Sequence, residues 1–197
     1  FDHIFGLGWL KEKYGLRPVC HAMEQENYDM QERMAAEMFG TAVPIAMPGI
    51  LHYVKDGDVI ALGESSLSVI YTPGHTAGGV SYYGEGLLFS GDTLFAGSCG
   101  RTDLPGGNMQ EEIHSIRERL LTLPPETRLL SGHGYESAVG DVKRHRSLYS
   151  STVFSHDSSA GPTRHSRPAK SAVVMAAAGT AFPRGFFSAS SRLYAAS

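Results

Sequence analysis

Three side chains that can bind metal ions follow short apolar segments of the sequence. His75, Asp92 and His133 each come directly after a glycine. Because glycine has no Cβ, the backbone beside each of these residues can approach a neighbouring group closely. Imidazole and carboxylate together are ligands for zinc, non-haem iron or manganese. We therefore expect the three side chains to belong to one metal site.

The segments before these residues must bring them together. Ser66–Tyr71, Leu87–Ser90 and Arg128–Ser131 have the composition of short strands, and strands can deliver side chains to one edge of a sheet. The pair Asp2-His3, which precedes a helical pattern, is a fourth candidate. A single histidine after a strand is more often a surface or core residue, but the joint pattern predicts metal binding.

The remaining elements are a mixture of helices and strands. Apolar spacing predicts helices over Ile4–Tyr14, Tyr28–Phe39, Met109–Leu123 and Asp141–Tyr149. Further strands are predicted over Pro18–His21 and Gly79–Tyr83, and a hairpin is predicted to join His52–Val54 to Asp58–Leu62. This order differs from the strict alternation of a doubly wound sheet. It predicts a mixed α/β (α+β) fold.

Charge divides the 197 residues into two parts. Residues 1–145 carry 19 acidic and 11 basic side chains, a net charge of −8, whereas residues 146–197 carry one acidic and six basic side chains, a net charge of +5. The second part is rich in Ser and Ala and has no long apolar period. We expect a folded domain over residues 1–145 and a disordered, low-complexity tail over residues 146–197.

Composition also limits the class of function. An acidic domain disfavours binding to nucleic acid or to an anionic membrane, and no apolar run approaches the 18 residues of a membrane span. Cys20 and Cys99 cannot form a disulfide framework and fit a reducing, cytoplasmic compartment. No G-x-S-x-G or phosphate-loop motif occurs, so no nucleophile or nucleotide site is predicted.

Four motifs resemble, in order, those of the metallo-β-lactamase fold superfamily of hydrolases. Residues 1–3, FDH, resemble the end of T-H-x-H-x-D-H, and residues 71–76, YTPGHT, resemble T-P-G-H-T. Residues 89–95, FSGDTLF, resemble F-x-G-D-x-L-F, and residues 131–134, SGHG, resemble G-H-G. Within the superfamily, residues 100–107, GRTDLPGG, are similar to glyoxalase II-like hydroxyacylglutathione hydrolases. The resemblance extends to about Arg144.

The resemblance implies an αβ/βα sandwich, here without its first strands, that holds two divalent metal ions at one edge. His75 would bind the first ion, Asp92 would bridge both ions, and the second ion would be bound by Asp2, His3 and His133. Zinc is the expected metal, with iron and manganese as alternatives.

The two histidines of the H-x-H motif do not precede Phe1 in this sequence. The first ion therefore keeps only His75 and Asp92 of its expected ligands. Because changes outside the ligand set already cost about 10–100-fold in affinity or activity, we expect this chain to be impaired. Placing T-H-x-H ahead of Phe1 is expected to restore activity.

The resemblance further implies a thioester or ester hydrolase that uses a metal-bound hydroxide, with S-2-hydroxyacylglutathione as one candidate substrate. Asp2 and Asp92 would be its catalytic carboxylates. Arg101 and Tyr135 stand where glyoxalase II enzymes contact glutathione. Alternatively, Arg101 holds its own loop through Asp103, and Tyr135 serves only in packing.

Two other interpretations of the chain remain open. One is an iron oxidoreductase similar to persulfide dioxygenases, which also carry a G-R-T-D run. The other is an inactive fragment that binds metal through Asp2, His3, Asp92 and His133. Lactonases of the superfamily are a further alternative, whereas nucleases are disfavoured because the acidic domain would repel a phosphate backbone. The expected partner is a small-molecule thioester or ester, and no nucleic acid or membrane is expected to bind.

Overall fold

The computed structural model describes residues 2–42, 46–50 and 52–144, and the backbone of residues 175–176. The helices are α1 (Leu7–Tyr14), α2 (Gln25–Asp29), α3 (Gln31–Phe39), α4 (Met109–His114) and α5 (Val139–Arg144), with a 3₁₀ turn at Ala22–Glu24 and a π-helical turn at Ser115–Leu120. The strands are β1 (Arg17–His21), β2 (His52–Val54), β3 (Val59–Leu62), β4 (Ser65–Tyr71), β5 (Val80–Gly84), β6 (Leu87–Gly91), β7 (Arg128–Ser131), β8 (Ser137–Ala138) and β9 (Met175–Ala176).

The larger sheet has six strands in the order β3-β4-β5-β6-β7-β8. All neighbouring pairs are antiparallel except β6 and β7, which are parallel. The turn between β5 and β6 places Glu85 and Gly86 in the left-handed region, at φ 52° and 70°. Positive φ at both central residues matches the twist of a tight hairpin between the two strands.

The smaller sheet has three strands in the order β2-β1-β9, with β2 parallel and β9 antiparallel to β1. The predicted hairpin between His52–Val54 and Asp58–Leu62 is therefore wrong. The turn exists, since the Lys55 N–H donates to Asp58 Oδ2 at 2.9 Å. It carries the chain from β2 of the smaller sheet to β3 of the larger sheet, and Val54 and Ile60 belong to the same apolar cluster.

The two sheets and their helices form successive layers. One apolar cluster joins the sheets and includes Val19 and Val54 of the smaller sheet with Leu67 and Phe89 of the larger one. A second cluster fills the space between the other face of the larger sheet and the helices that follow it, and it consists of Leu88, Leu94, Ile113, Ile116, Leu120, Leu121, Leu129, Val139 and Val142. A third, smaller cluster beneath α1 centres on Leu7 and Leu16. This is the predicted αβ/βα sandwich.

Three predicted helices differ from the structure in their bounds. The helix predicted at Ile4 begins at Leu7, and the one predicted over Tyr28–Phe39 is two helices that meet at Met30. The helix predicted over Met109–Leu123 changes at Ser115 from α to π geometry, in which the Leu121 N–H donates to Ile116 O.

The C-terminal part of the chain is described only in part. The helix predicted over Asp141–Tyr149 begins at Val139, and its residues beyond Arg144 lie outside the described residues. The predicted tail also lies outside them, apart from β9. Within the described part of the chain, no helix has the length and apolar character that crossing a membrane requires.

Candidate metal centre

Three strands of the larger sheet end at the same edge. β4 and β6 both run antiparallel to β5, which lies between them, and β7 is parallel to β6. All three therefore run in one direction, and His75, Asp92 and His133 follow their carboxyl ends. The Gly132 N–H donates to Gly91 O at 2.7 Å and ties the ends of β7 and β6 together. The turn before α1 contributes Asp2 and His3.

Asp92 lies at the centre of the predicted ligand set. Its Oδ2 atom is 3.3 Å from His3 Nε2, 3.4 Å from His133 Nε2 and 3.9 Å from His75 Nε2. The Nε2 atoms of His3 and His133 are themselves 3.1 Å apart. The structure thus brings these four residues together around one carboxylate oxygen.

Asp2 completes the set from the more exposed side. Its Oδ2 is 3.2 Å from His133 Nε2 and 3.8 Å from His3 Nε2. Ligand atoms of Asp2, His3 and His133 all lie within 4.8 Å of one another. Ligands about 2.0–2.1 Å from one tetrahedral ion would lie about 3.3 Å apart, so this spacing suits a cation.

Two further observations at Asp92 fit a bound cation. Its Oδ1 atom is buried and has no hydrogen-bond partner within residues 2–42, 46–50 and 52–144. A buried carboxylate oxygen without a partner is costly, and coordination of a cation removes that cost. A Cβ on Gly132 would lie 2.2 Å from Oδ1 and 2.5 Å from His3 Cε1, so the backbone forms a close wall beside the carboxylate.

His75 is held in one tautomer by the backbone of the neighbouring loop. Its Nδ1 lies 2.7 Å from the carbonyl oxygen of Arg101. A carbonyl only accepts hydrogen bonds, so Nδ1 must carry the proton and Nε2 keeps its lone pair. Nε2 is the atom that faces Asp92. Such a bond to the second ring nitrogen is the usual support of a metal-binding histidine.

The carboxylates and imidazoles of the cluster stabilise one another's charged forms. Burial alone would raise the pKa of Asp92, but the hydrogen bond from His3 and the nearby histidine charges hold that pKa below its usual value. The same hydrogen bond, together with the charges of Asp92 and Asp2, raises the pKa of His3 against the effect of burial. The site therefore favours an ionised carboxylate at its centre.

The sequence reasoning missed Glu112, a fully buried carboxyl on α4. Its Oε2 accepts the His75 backbone N–H at 2.9 Å, and the carboxyl also accepts the Gly100 N–H. Burial raises the pKa of Glu112 to about 8, although these two hydrogen bonds lower it. A signal was available, because Glu112 interrupts the apolar stripe of Ile113 and Ile116 at helical spacing.

The two predicted substrate-contact residues lie at exposed positions. The guanidinium of Arg101 forms a two-point ion pair with Asp103, at 2.6 Å and 2.7 Å. The alternative role of Arg101, holding its own loop through Asp103, thus has a structural basis. Tyr135 is 38% exposed, two residues after His133. The backbone oxygen of Arg101 contacts the candidate ligand His75.

Comparison with curated proteins gives relatives that are named as hydrolases. The chain is 38% identical over 141 residues to the probable metallo-hydrolase YqgX of Bacillus subtilis, an alignment that covers 71% of this chain and 66% of the relative. It is 39% identical over 136 residues to the hydroxyacylglutathione hydrolase of Brucella ovis, which covers 68% of this chain and 44% of the relative. The chain therefore spans less than two thirds of the length of either relative.

Two crystal structures share the fold at moderate sequence identity. BLEG-1 B3 metallo-β-lactamase matches with a TM-score of 0.67 and 34% identity, over 74% of this chain and 70% of that protein. TTHA1623 in a di-iron-bound form matches with a TM-score of 0.65 and 35% identity, over 74% of this chain and 71% of that protein.

A family-wide sequence model gives the assignment. The model of the metallo-β-lactamase superfamily matches residues 1–133, which include all five residues of the cluster around Asp92. By this match and by its fold, the chain belongs to the metallo-β-lactamase superfamily.

Proposed function

We propose that the cluster around Asp92 is the metal centre of a hydrolase that cleaves thioesters or esters. The observation that carries this proposal is the convergence of three imidazoles and two carboxylates, with His3, His133 and His75 all within 3.9 Å of Asp92 Oδ2. Two divalent ions held there, zinc or alternatively iron or manganese, would lower the pKa of a water from about 15.7 towards 7 and polarise an acyl carbonyl.

The residues of this chain have separate tasks in such a reaction. Asp92, which is largely buried, would bridge both ions, whereas Asp2 lies half exposed on the open side of the cluster. There its carboxylate can orient the attacking water and accept one of its protons. The water oxygen forms a bond to the acyl carbon, and the carbon–sulfur bond breaks. A thiolate, with a pKa near 8.5, leaves without an acid to protonate it.

The thiols of this chain are poor candidates for an alternative covalent route. Burial raises the pKa of Cys20 and of Cys99 to about 11. Less than about 1% of either thiol would be ionised at neutral pH, and the thiolate is the nucleophilic form. These values favour attack by water over attack by cysteine.

The proposed substrate class is a small acyl thioester, with S-2-hydroxyacylglutathione as one member. Support comes from the similarity to a hydroxyacylglutathione hydrolase over 68% of this chain. We further propose that Arg101 and Tyr135 contact the thiol part of the substrate. The ion pair with Asp103 uses two of the five N–H groups of the guanidinium, so other donors can bind a substrate carboxylate.

The test is thiol release from acyl-glutathione and from simple thioesters by protein loaded with zinc, iron or manganese. The assay uses the chain as printed and the chain with T-H-x-H ahead of Phe1, each with and without Asp92→Asn. We expect metal-dependent thiol release that is larger for the extended chain and at least about 100-fold lower after Asp92→Asn.

Two outcomes would contradict the proposal. One is a metal-loaded extended chain that releases no thiol or alcohol above background from any thioester or ester. The other is oxygen consumption with a persulfide by an iron-loaded chain without hydrolysis, which would support the oxidoreductase alternative. Metal binding without either reaction would support the inactive fragment.

A further inference from the structure

The carboxyl of Glu112 connects two loops that border the metal-binding cluster. It accepts the backbone N–H of His75, in the loop after β4, and that of Gly100, in the loop after Asp92. Its other oxygen, Oε1, is buried without a hydrogen-bond partner within the described parts of the chain. A fully buried carboxyl is rare unless its bonds have a specific purpose, because removal from water is costly.

The backbone around Gly74 is shaped to let the loop reach this carboxyl. A Cβ on Gly74 would lie 2.2 Å from Glu112 Cα, so the loop lies directly on α4. The loop is tied to the helix at two further points, by the Asn108 N–H to Gly74 O at 2.7 Å and by Ser115 Oγ to Pro73 O at 2.7 Å. Of these three contacts, the one from Glu112 is made with the backbone of His75 itself.

Glu112 also acts on the group that orients the His75 ring. The ring donates from Nδ1 to Arg101 O, and the residue before Arg101 donates its own N–H to Glu112. A Cβ on Gly100 would lie 2.9 Å from His75 Nδ1, so the two segments are in close contact. One carboxyl therefore fixes both the backbone of His75 and the peptide segment that fixes its ring.

We propose that Glu112 is a positioning residue that holds His75 in the Nδ1-protonated form, with Nε2 directed towards Asp92. This proposal rests on the proposed metal-binding role of His75. Glu112 does so by accepting both N–H groups, and its negative charge is not required. The two donors would otherwise be buried without acceptors, and the loops would move to find water or other partners.

Two substitutions of Glu112 distinguish the loss of its hydrogen-bond acceptors from a change in the volume or charge of its side chain. Glu112→Met keeps most of the side-chain volume but removes both acceptor oxygens. Glu112→Gln keeps one carbonyl oxygen, which can take the place of Oε2 and accept the same N–H groups. Glu111→Met is the matched control, since Glu111 is the exposed neighbour on the same helix.

The first measurement is the tautomer of His75 in metal-free protein, read from its ring ¹⁵N and ¹H shifts by NMR. The second is the affinity for Zn²⁺, measured by competition with a chelator. We expect Glu112→Met to lose the Nδ1-protonated signature of His75 and to bind zinc about 10–100-fold more weakly. We expect Glu112→Gln and Glu111→Met to keep the signature and to stay within about threefold of the wild-type affinity.

Ser115→Ala tests whether any loosening of the loop has the same effect. It removes the bond to Pro73 but leaves the bonds to His75 and Gly100. We expect a lower unfolding temperature with an unchanged His75 tautomer. An equal loss of the tautomer in Ser115→Ala and Glu112→Met would overturn the proposal. The tautomer would then depend on the packing of the loop in general and not on the acceptor oxygens of Glu112.

Two other results would overturn it as well. One is a folded Glu112→Met that keeps both the tautomer and the zinc affinity. The other is a folded Glu112→Gln that loses the Nδ1-protonated form of His75. If Glu112→Met does not fold, the Glu112→Gln variant alone tests the proposal. Since the tautomer is read without metal and without substrate, a chain that proves inactive as a hydrolase leaves this result standing.

Discussion

Gly132 lies so close to Asp92 that a Cβ on Gly132 would be 2.2 Å from the Oδ1 atom of Asp92. The same Cβ would be 2.5 Å from Cε1 of His3. Gly132 is therefore required by more than the turn that follows β7. It leaves the space that the central carboxylate and a neighbouring imidazole occupy.

Gly132→Ala should consequently damage the metal centre more than the fold. The added methyl group must displace Asp92 or His3, and we expect zinc affinity to fall by at least about 10-fold. Gly97→Ala is the matched control, because a Cβ on Gly97 meets nothing within 4 Å. Chelator competition and thermal unfolding measure both variants. Unchanged zinc affinity in a folded Gly132→Ala protein would contradict the close contact.

Asp56 supports the end of the strand that leads to His75. Its Oδ1 accepts the Tyr71 N–H at 2.8 Å and a bond from Arg119 at 2.6 Å. We expect Asp56→Ala to lower the free energy of unfolding by about 1 kcal/mol, because the Tyr71 N–H loses its acceptor. Asp56→Asn keeps an acceptor and should cost less. Chemical denaturation of the three proteins gives the comparison.

The effect of Asp56→Asn should depend on pH. Burial alone would raise the pKa of Asp56. The hydrogen bonds from Tyr71 and Arg119 nevertheless hold this pKa below its usual value. A lowered pKa adds stability above the unfolded value of about 3.9, and this contribution is lost as pH falls through the folded pKa. The difference between wild type and Asp56→Asn should therefore be present at pH 6 and vanish towards about pH 2. A difference that is constant with pH would argue against the ion pair.

Both cysteines should react slowly with alkylating reagents in the folded protein. Burial raises the pKa of Cys20 and Cys99 to about 11, so only about 0.1% of each thiol is ionised at pH 8. We expect alkylation at pH 8 to be about 100-fold slower than for a free thiol and to accelerate as pH rises towards 10. Cys20→Ser and Cys99→Ser assign the rates. A thiol that reacts at the rate of free cysteine would reveal an activated nucleophile.

The Arg101–Asp103 pair can be tested for two roles at once. If Arg101 binds the substrate, Arg101→Ala should raise KM for an anionic acyl-glutathione by about 10-fold, with kcat and the KM for a neutral thioester little changed. Asp103→Asn, which keeps the guanidinium, should not raise that KM. The pair is exposed, so neither variant should lose more than about 1 kcal/mol of stability. Equal effects of both variants on KM would assign Arg101 to the loop alone.

The convergence of the candidate ligands at one edge of the sheet could be predicted because its signals are local. His75, Asp92 and His133 each stand after an apolar strand and a glycine, and the three strands run in the same direction. A short strand can be recognised as an apolar run that ends at a glycine, and its carboxyl end follows from the chain direction. Asp2 and His3 precede a helix instead of following a strand, so residue type makes them only a candidate pair, and their place in the first motif is what assigns them to the second ion.

The features that escaped prediction depend on distant partners. The turn between Val54 and Ile60 contains Gly57 and favours a hairpin, but a turn does not show which strand pairs with the segment on either side of it. Glu112 was passed over because a charged residue on a helix is usually solvated. Its role is evident only when the His75 and Gly100 loops are seen to lie on α4.

The central claim is that Asp92 and its neighbours form a metal centre, and calorimetric titration of metal-free protein with Zn²⁺ tests it most directly. The titration compares wild type with Asp92→Asn and with the surface control Asp29→Asn, whose carboxylate is exposed and bonded to Gln25. We predict tight binding by wild type and Asp29→Asn, and at least about 100-fold weaker binding by Asp92→Asn. Equal zinc affinity in wild type and folded Asp92→Asn, or no binding by wild type, would contradict it.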